Sequence, residues 1–161
     1  MSTRKKRLWI ICMAALLLFC VGVPTAVAWR ARWTLATALA DAQSVTLEQF
    51  TLLQRKVVAS RTMSPSDYPK LLQAFPYSLD YGAVFLHKMC FVPHHRVVIT
   101  TRGGDTFVCD ICFTCNMYSM PGVGVNEMPV GWSGTLRTLF ADANISADAP
   151  KEVISEIQPD P

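Results

Sequence analysis

Leu8 to Trp29 read LWIICMAALLLFCVGVPTAVAW, with no charged side chain. A run this apolar has no polar stripe to turn toward water. As a helix rising ~1.5 Å per residue it matches a ~30 Å hydrocarbon layer. The pattern predicts a transmembrane helix. Pro24 falls near its far end, where a kink is tolerated, and Trp9 and Trp29 fall near the two interfaces. Arg4, Lys5, Lys6 and Arg7 outweigh Arg30 and Arg32. That imbalance predicts a single-pass signal-anchor of the inner membrane, partnered with the bilayer through residues 8–29. The N-terminus would be cytoplasmic and the rest of the chain outside. A rival reading is a cleaved signal peptide ending at Ala26-Val27-Ala28, which leaves a secreted or periplasmic domain. Phe19 before Cys20 argues against lipoprotein processing, so Cys12 and Cys20 read as small apolar residues of the anchor.

Beyond residue 30 the periods shorten. ARWTLATALADAQ (31–43) is rich in Ala and Leu and predicts a continuing helix. SVTLEQFTLL (44–53) alternates in part and predicts a strand, with Lys56–Ala59 as a short partner. In SPSDYPKLLQAF, Ser64 or Ser66 is placed to cap a short helix presenting Leu71, Leu72 and Phe75. AVFLHKMCF (83–91) reads as a strand. SGTLRTLFADANI predicts a helix with Ser133 as N-cap and Leu136, Leu139, Phe140 and Ala143 on one face. ADAPKEVISEIQPDP combines three prolines with four acidic residues and predicts a frayed tail. The whole predicts an α+β fold: an N-terminal transmembrane helix, then a small antiparallel β-sheet with helices packed on one face. The divisions are an anchor over 1–30, a domain over 31–147 and a tail over 148–161.

HHRVVITTR, Gly103-Gly104 and DTFVCDICF form the clearest local signal. Two glycines between alternating arms predict a two-residue hairpin in a primed turn. Arg102 then faces Asp105, Ile99 faces Val108, Val98 faces Cys109 and His95 faces Cys112. Directly opposed residues share a face, with Cβ atoms ~5 Å apart. A slip of one residue undoes every one of these pairings. Phe107, Cys109, Ile111 and Phe113 share the side that reads as core; Val108, Asp110 and Cys112 share the other.

Composition narrows the function classes. Of 161 residues, 51% are hydrophobic and 17% charged, and the apolar excess lies at the N-terminus. The net charge is +3, yet RKKR alone supplies more than that, so the chain after residue 33 is near neutral to slightly acidic. There is no basic stripe to follow a phosphate backbone, which argues against nucleic acid as a partner.

CDICFTCN (109–116) carries the candidate chemistry. Cys109 reads as a small core residue, which leaves Cys112 and Cys115 as a CxxC pair. Residues three apart in a strand lie ~10 Å apart and point to opposite faces. A disulfide needs Cα atoms within ~7 Å, and a shared ion needs converging sulfurs. Either requires the chain to turn just after Cys112. Cys90 and His95 add a second pair, giving C-x4-H-x16-C-x2-C. These are ligand types that tetrahedral Zn²⁺ takes, so the candidate metal set is Cys90, His95, Cys112 and Cys115, with Zn²⁺ as its cofactor. A structural disulfide among Cys90, Cys112 and Cys115 competes with it. Thiol–disulfide redox chemistry at Cys112–Cys115 is a further alternative, although thioredoxin-like enzymes set their CxxC at a helix N-terminus and NMYSMPG is a poor helix. The bland reading makes all of these separate packing residues. Ser119-Met120 does not continue a ferredoxin run, and Asn116 excludes a CxxCH haem motif. No serine elbow, phosphate loop or carboxylate pair is present, so the sequence points away from an enzyme.

Cys90-Phe91-Val92-Pro93-His94-His95 and Ile111-Cys112-Phe113-Thr114-Cys115, followed by a short C-terminal helix, resemble an uncharacterised family of small membrane-anchored or exported bacterial proteins with CF-x-P-x-H and ICF-x-C segments. The resemblance covers about residues 83–145, singles out Cys90, His95, Cys112 and Cys115, and implies no activity. The expectation is a membrane-tethered extracytoplasmic binding or structural domain clamped by a Cys/His cluster.

Overall fold

The computed structural model describes residues 3–52, 55–73, 91–128 and 131–150. Helix α1 runs from Thr3 to Ala40. The uncharged run is its first part rather than a separate unit. The helix continues through Arg30 and Arg32, and its last turns bury Ala31 and Leu35 in the core of the domain. Among the described residues, no helix is long and apolar enough to cross a membrane. The expected transmembrane helix, signal-anchor and single-pass inner-membrane placement are therefore corrected. The fold class is corrected with them, to a six-stranded antiparallel sheet with few helices. The helix expected to continue over 31–43 does so as far as Ala40, because its Ala/Leu-rich residues contain no breaker.

The strands are β1 (Ala42–Phe50), β2 (Val57–Thr62), β3 (His95–Thr101), β4 (Thr106–Cys112), β5 (Met117–Met120) and β6 (Gly124–Glu127). They lie in the order β2-β1-β3-β4-β5-β6, and each neighbouring pair is antiparallel. A 3-10 turn over Pro65–Asp67 leads into α2 (Tyr68–Gln73), and α3 spans Trp132–Asp142. The strand expected over 83–91 lies, apart from Phe91, outside the described residues.

Period-two alternation sorts the sheet into two faces. Val45 and Leu47 of β1, Val97 and Ile99 of β3, Cys109 and Ile111 of β4, and Tyr118 and Met120 of β5 point into one core with Ala31 and Leu35 of α1, Leu71 of α2, and Trp132, Leu136 and Phe140 of α3. Trp132 is 1% exposed and Phe140 0%, and burying side chains of this size contributes about 1.5–3 kcal/mol each. The Trp132 indole N–H donates to the Leu71 carbonyl at 2.8 Å, and Arg32 donates to that of Leu72 at 2.7 Å, so α2 is tied to both long helices. α3 starts one residue before the expected cap: Gly131, at φ 88°, takes the N-cap position with no side-chain bond, and Ser133 lies inside the helix.

The β3–β4 hairpin forms, but its loop has three residues rather than two. The Thr101 N–H donates to the Asp105 carbonyl at 2.8 Å and the Gly104 N–H to the Thr101 carbonyl at 3.0 Å. Gly104 adopts φ 87°, which closes the loop Arg102-Gly103-Gly104 with a left-handed residue, the alternative geometry open to a glycine-rich hairpin. The Thr101 hydroxyl also accepts the Asp105 N–H at 3.1 Å. The register is therefore displaced by one: Ile99 pairs with Phe107, Val98 with Val108, Val97 with Cys109 and His95 with Ile111.

Candidate functional site

The displaced register separates the predicted ligands. His95 pairs with Ile111 and enters the helix-covered face, whereas Cys112, the next residue of β4, belongs to the opposite one. His95 and Cys112 are thus not brought together. Cys90 lies outside the described residues. Cys112 and Cys115 are brought together at the β4–β5 turn. Among the described residues, no group of three or more His, Cys, Asp or Glu side chains is placed to hold a metal ion.

His95 is 0% exposed. Its Nε2–H donates to the Ser146 carbonyl at 2.7 Å. Gln49, on the same face of β1, donates to the carbonyls of Ser146 and Asp148 at 3.3 and 2.8 Å. The His95 ring stands 4.9 Å from that of Phe113 and 5.2 Å from that of Phe140, and among the described residues Nδ1 has no hydrogen-bond partner. Burial pushes its pKa down to about 4; Ser146 opposes this, and His94 and Arg137 add to it. This neutral imidazole is a clamp on the chain that follows α3. Burial also lowers His94, whose carbonyl accepts the Phe50 N–H at 2.9 Å.

Cys109 behaves as a core residue. It is 1% exposed, and burial holds its thiol far above the usual range, so it stays protonated. Cys112 is a free thiol at the end of β4. The Cys115 N–H donates to its sulfur at 3.3 Å. This bond folds the chain back within three residues, the turn that any joint chemistry of the pair requires. Asn116 completes it at φ 54°, a left-handed conformation that Asn tolerates better than most residues. Asn116 is itself fixed: its carbonyl accepts the Met128 N–H at 2.8 Å, and its amide donates to the Met128 carbonyl at 3.4 Å.

On the same face as Cys112, a polar row crosses the sheet. Ser60, Glu48, Arg96, Asp110 and Ser119 are successive cross-strand neighbours on β2, β1, β3, β4 and β5. Arg96 Nε donates to Glu48 at 2.6 Å, and its guanidinium lies 5.0 Å from the centre of the Phe50 ring. Burial raises the Asp110 carboxyl, and the charges of Arg55 and Arg96 oppose the rise. Sequence reasoning missed Gln49, Glu48, Arg96 and Ser146. Each has a role only through a contact distant in the chain, across the β1–β3 pairing or from β1 and β3 to the segment after α3, and no local motif announces it.

Comparison with family models, with curated proteins and with solved structures gives no match. The resemblance carried by the CF-x-P-x-H and ICF-x-C segments accordingly adds no activity to this geometry.

Proposed function

We propose that this domain is a non-enzymatic binding module whose β4–β5 turn presents Cys112 and Cys115 as two sulfur ligands to a thiophilic divalent cation, Zn²⁺ in the first instance. The observation that carries this reading is the Cys115 N–H donated to Cys112 Sγ within a turn closed by a left-handed Asn116. A backbone N–H on sulfur is the outer contact that orients a ligating thiolate, and thiolate is the form that binds metals. Thiol–disulfide exchange has less support. The pair joins two strands and lies at no helix N-terminus, so the usual means of activating an exchanging thiol is missing. His95 is not part of the site, because its Nε2–H is committed to Ser146 on the other face.

The test is metal content after refolding of the full chain with Zn²⁺ under reducing conditions and removal of excess ion. Wild type and Cys109→Ser should retain a single ion per chain, and Cys112→Ser and Cys115→Ser should each release it. A wild-type chain that keeps no zinc, or a Cys112→Ser chain that keeps it, would sink the proposal.

A further inference from the structure

We infer that the Met117 thioether is a third sulfur ligand at the β4–β5 turn, and that the turn therefore holds a soft monovalent cation, Cu(I), in preference to Zn²⁺. This role rests on the reading of Cys112 and Cys115 as a joint metal pair. Met117 is the cross-strand partner of Cys112. Directly opposed residues share a face, with Cβ atoms ~5 Å apart. Both side chains are buried, Cys112 at 2% exposure and Met117 at 4%. They lie on the side of the sheet away from the helices, because their strand neighbours Ile111 and Tyr118 point into the helix-covered core. A buried thiol and a buried thioether thus stand side by side at the base of the turn that carries the second thiol.

The turn is fixed at both ends. Phe113 is buried in the core, and Arg137 donates to its carbonyl at 2.9 Å. Asn116 is bonded to Met128 through its carbonyl and its side-chain amide. Between these anchors the Cys115 N–H reaches Cys112 Sγ. The backbone that carries the three sulfurs is thus set before any ion arrives, and little ordering entropy is left to lose on binding. Cys115 is half-buried, which gives an ion a side from which to enter.

The donors choose the ion. Thioether sulfur is neutral and polarizable, and together with thiolate it suits Cu(I). Zn²⁺ takes a tetrahedral set of thiolate, imidazole and carboxylate ligands. Among the described residues, no third side chain of those kinds joins Cys112 and Cys115. Zinc would have to complete its shell with water. Cu(I) is satisfied by fewer ligands, and Met117 supplies one from the buried side. Two thiolates on a monovalent cation leave a single negative charge, and a neutral third donor adds none, which limits the cost of burying the group. A methionine that only filled space would be replaceable by leucine without effect on either ion.

The experiment titrates the reduced full chain, without oxygen, with Cu(I) alone and with Zn²⁺ alone, each against a coloured chelator of that ion. Wild type is compared with Met117→Leu, Met120→Leu and Cys112→Ser. Leucine nearly conserves the volume of methionine. Met120 is a buried methionine of the same strand on the core side, so its variant reports what the exchange does to packing alone. Wild type should bind Cu(I) more tightly than Zn²⁺. Met117→Leu should weaken Cu(I) by at least about tenfold, the loss known from removing contacts that tune a metal ligand, and leave Zn²⁺ within about twofold. Met120→Leu should leave both ions as in wild type. Equal Cu(I) affinity in wild type and Met117→Leu, with zinc still bound, would overturn the third ligand and leave the two-cysteine reading standing. Equal losses for both ions in Met117→Leu, or a wild type that prefers zinc, would overturn it as well. Binding of neither ion by wild type, or no loss of either in Cys112→Ser, would remove both readings together.

Discussion

The two faces of the sheet are built from the same strands, yet they handle polar groups in opposite ways. On the helix-covered face, one imidazole sits among Phe113, Phe140 and Ile111 and donates to the Ser146 carbonyl. On the other face, polar side chains neighbour one another from Ser60 through Arg96 to Ser119, and the Cys112–Cys115 turn lies beyond the end of that row. Burial has silenced the titratable groups of the first face, Cys109 and His95. The second face buries the Cys112 thiol but keeps the Arg96 guanidinium and the Glu48 and Asp110 carboxylates in half-buried positions.

The largest expected effect lies on the helix-covered face. Phe140→Ala removes a fully buried ring that meets those of His95 and Phe113, and should cost about 3–5 kcal/mol in urea unfolding. The next effect belongs to His95. Its unfolded imidazole takes a proton near pH 6.5, but the folded one only near about 4. Between those values the unfolded chain binds more protons, so stability falls as the pH drops through that window. The loss should reach about 3 kcal/mol by pH 4 and flatten in His95→Gln. His94 and Arg137 oppose the charged form, and Asp148 favours it. The smallest effect lies on the polar face. A double-mutant cycle on Glu48→Ala and Arg96→Ala should give a coupling of about 1 kcal/mol, reduced by salt. A coupling as large as the loss from Phe140→Ala would erase the contrast between the faces.

Local rules made several parts of this molecule legible in its sequence. Alternation placed Phe107, Cys109, Ile111 and Phe113 on the apolar side of β4, where the last three are buried. The 3.6-residue period placed Leu136, Leu139 and Phe140 on the buried side of α3. Joint chemistry of Cys112 and Cys115 would need a turn after Cys112, Asn116 is compatible with one, and a turn is present. What failed was register. Gly103-Gly104 is equally at home in a two-residue primed turn and in a three-residue loop ending at a left-handed glycine. The second form moves His95 from beside Cys112 into the core. The N-terminal helix was expected to continue past residue 30 and does, but its charge-free stretch was wrongly read as a membrane span and did not show that the last turns join the core. The Gln49–Ser146 bond joins residues far apart in the chain, and no pattern in either segment encodes it.

The strand order also has a kinetic consequence. β3 to β6 form a meander of short connections, and β1 and β2 form a hairpin of their own. Only the seam between β1 and β3, from Ala42 opposite Thr101 to Gln49 opposite His95, joins the two groups. Closing it brings together segments separated by the whole stretch from residue 51 to residue 94, and the entropy of that closure is met before the seam's own contacts repay it. Each group can nucleate locally, but the sheet becomes one body only when this seam zips. Until His95–Thr101 is made, the β1 flank of the β1–β2 hairpin has no partner strand.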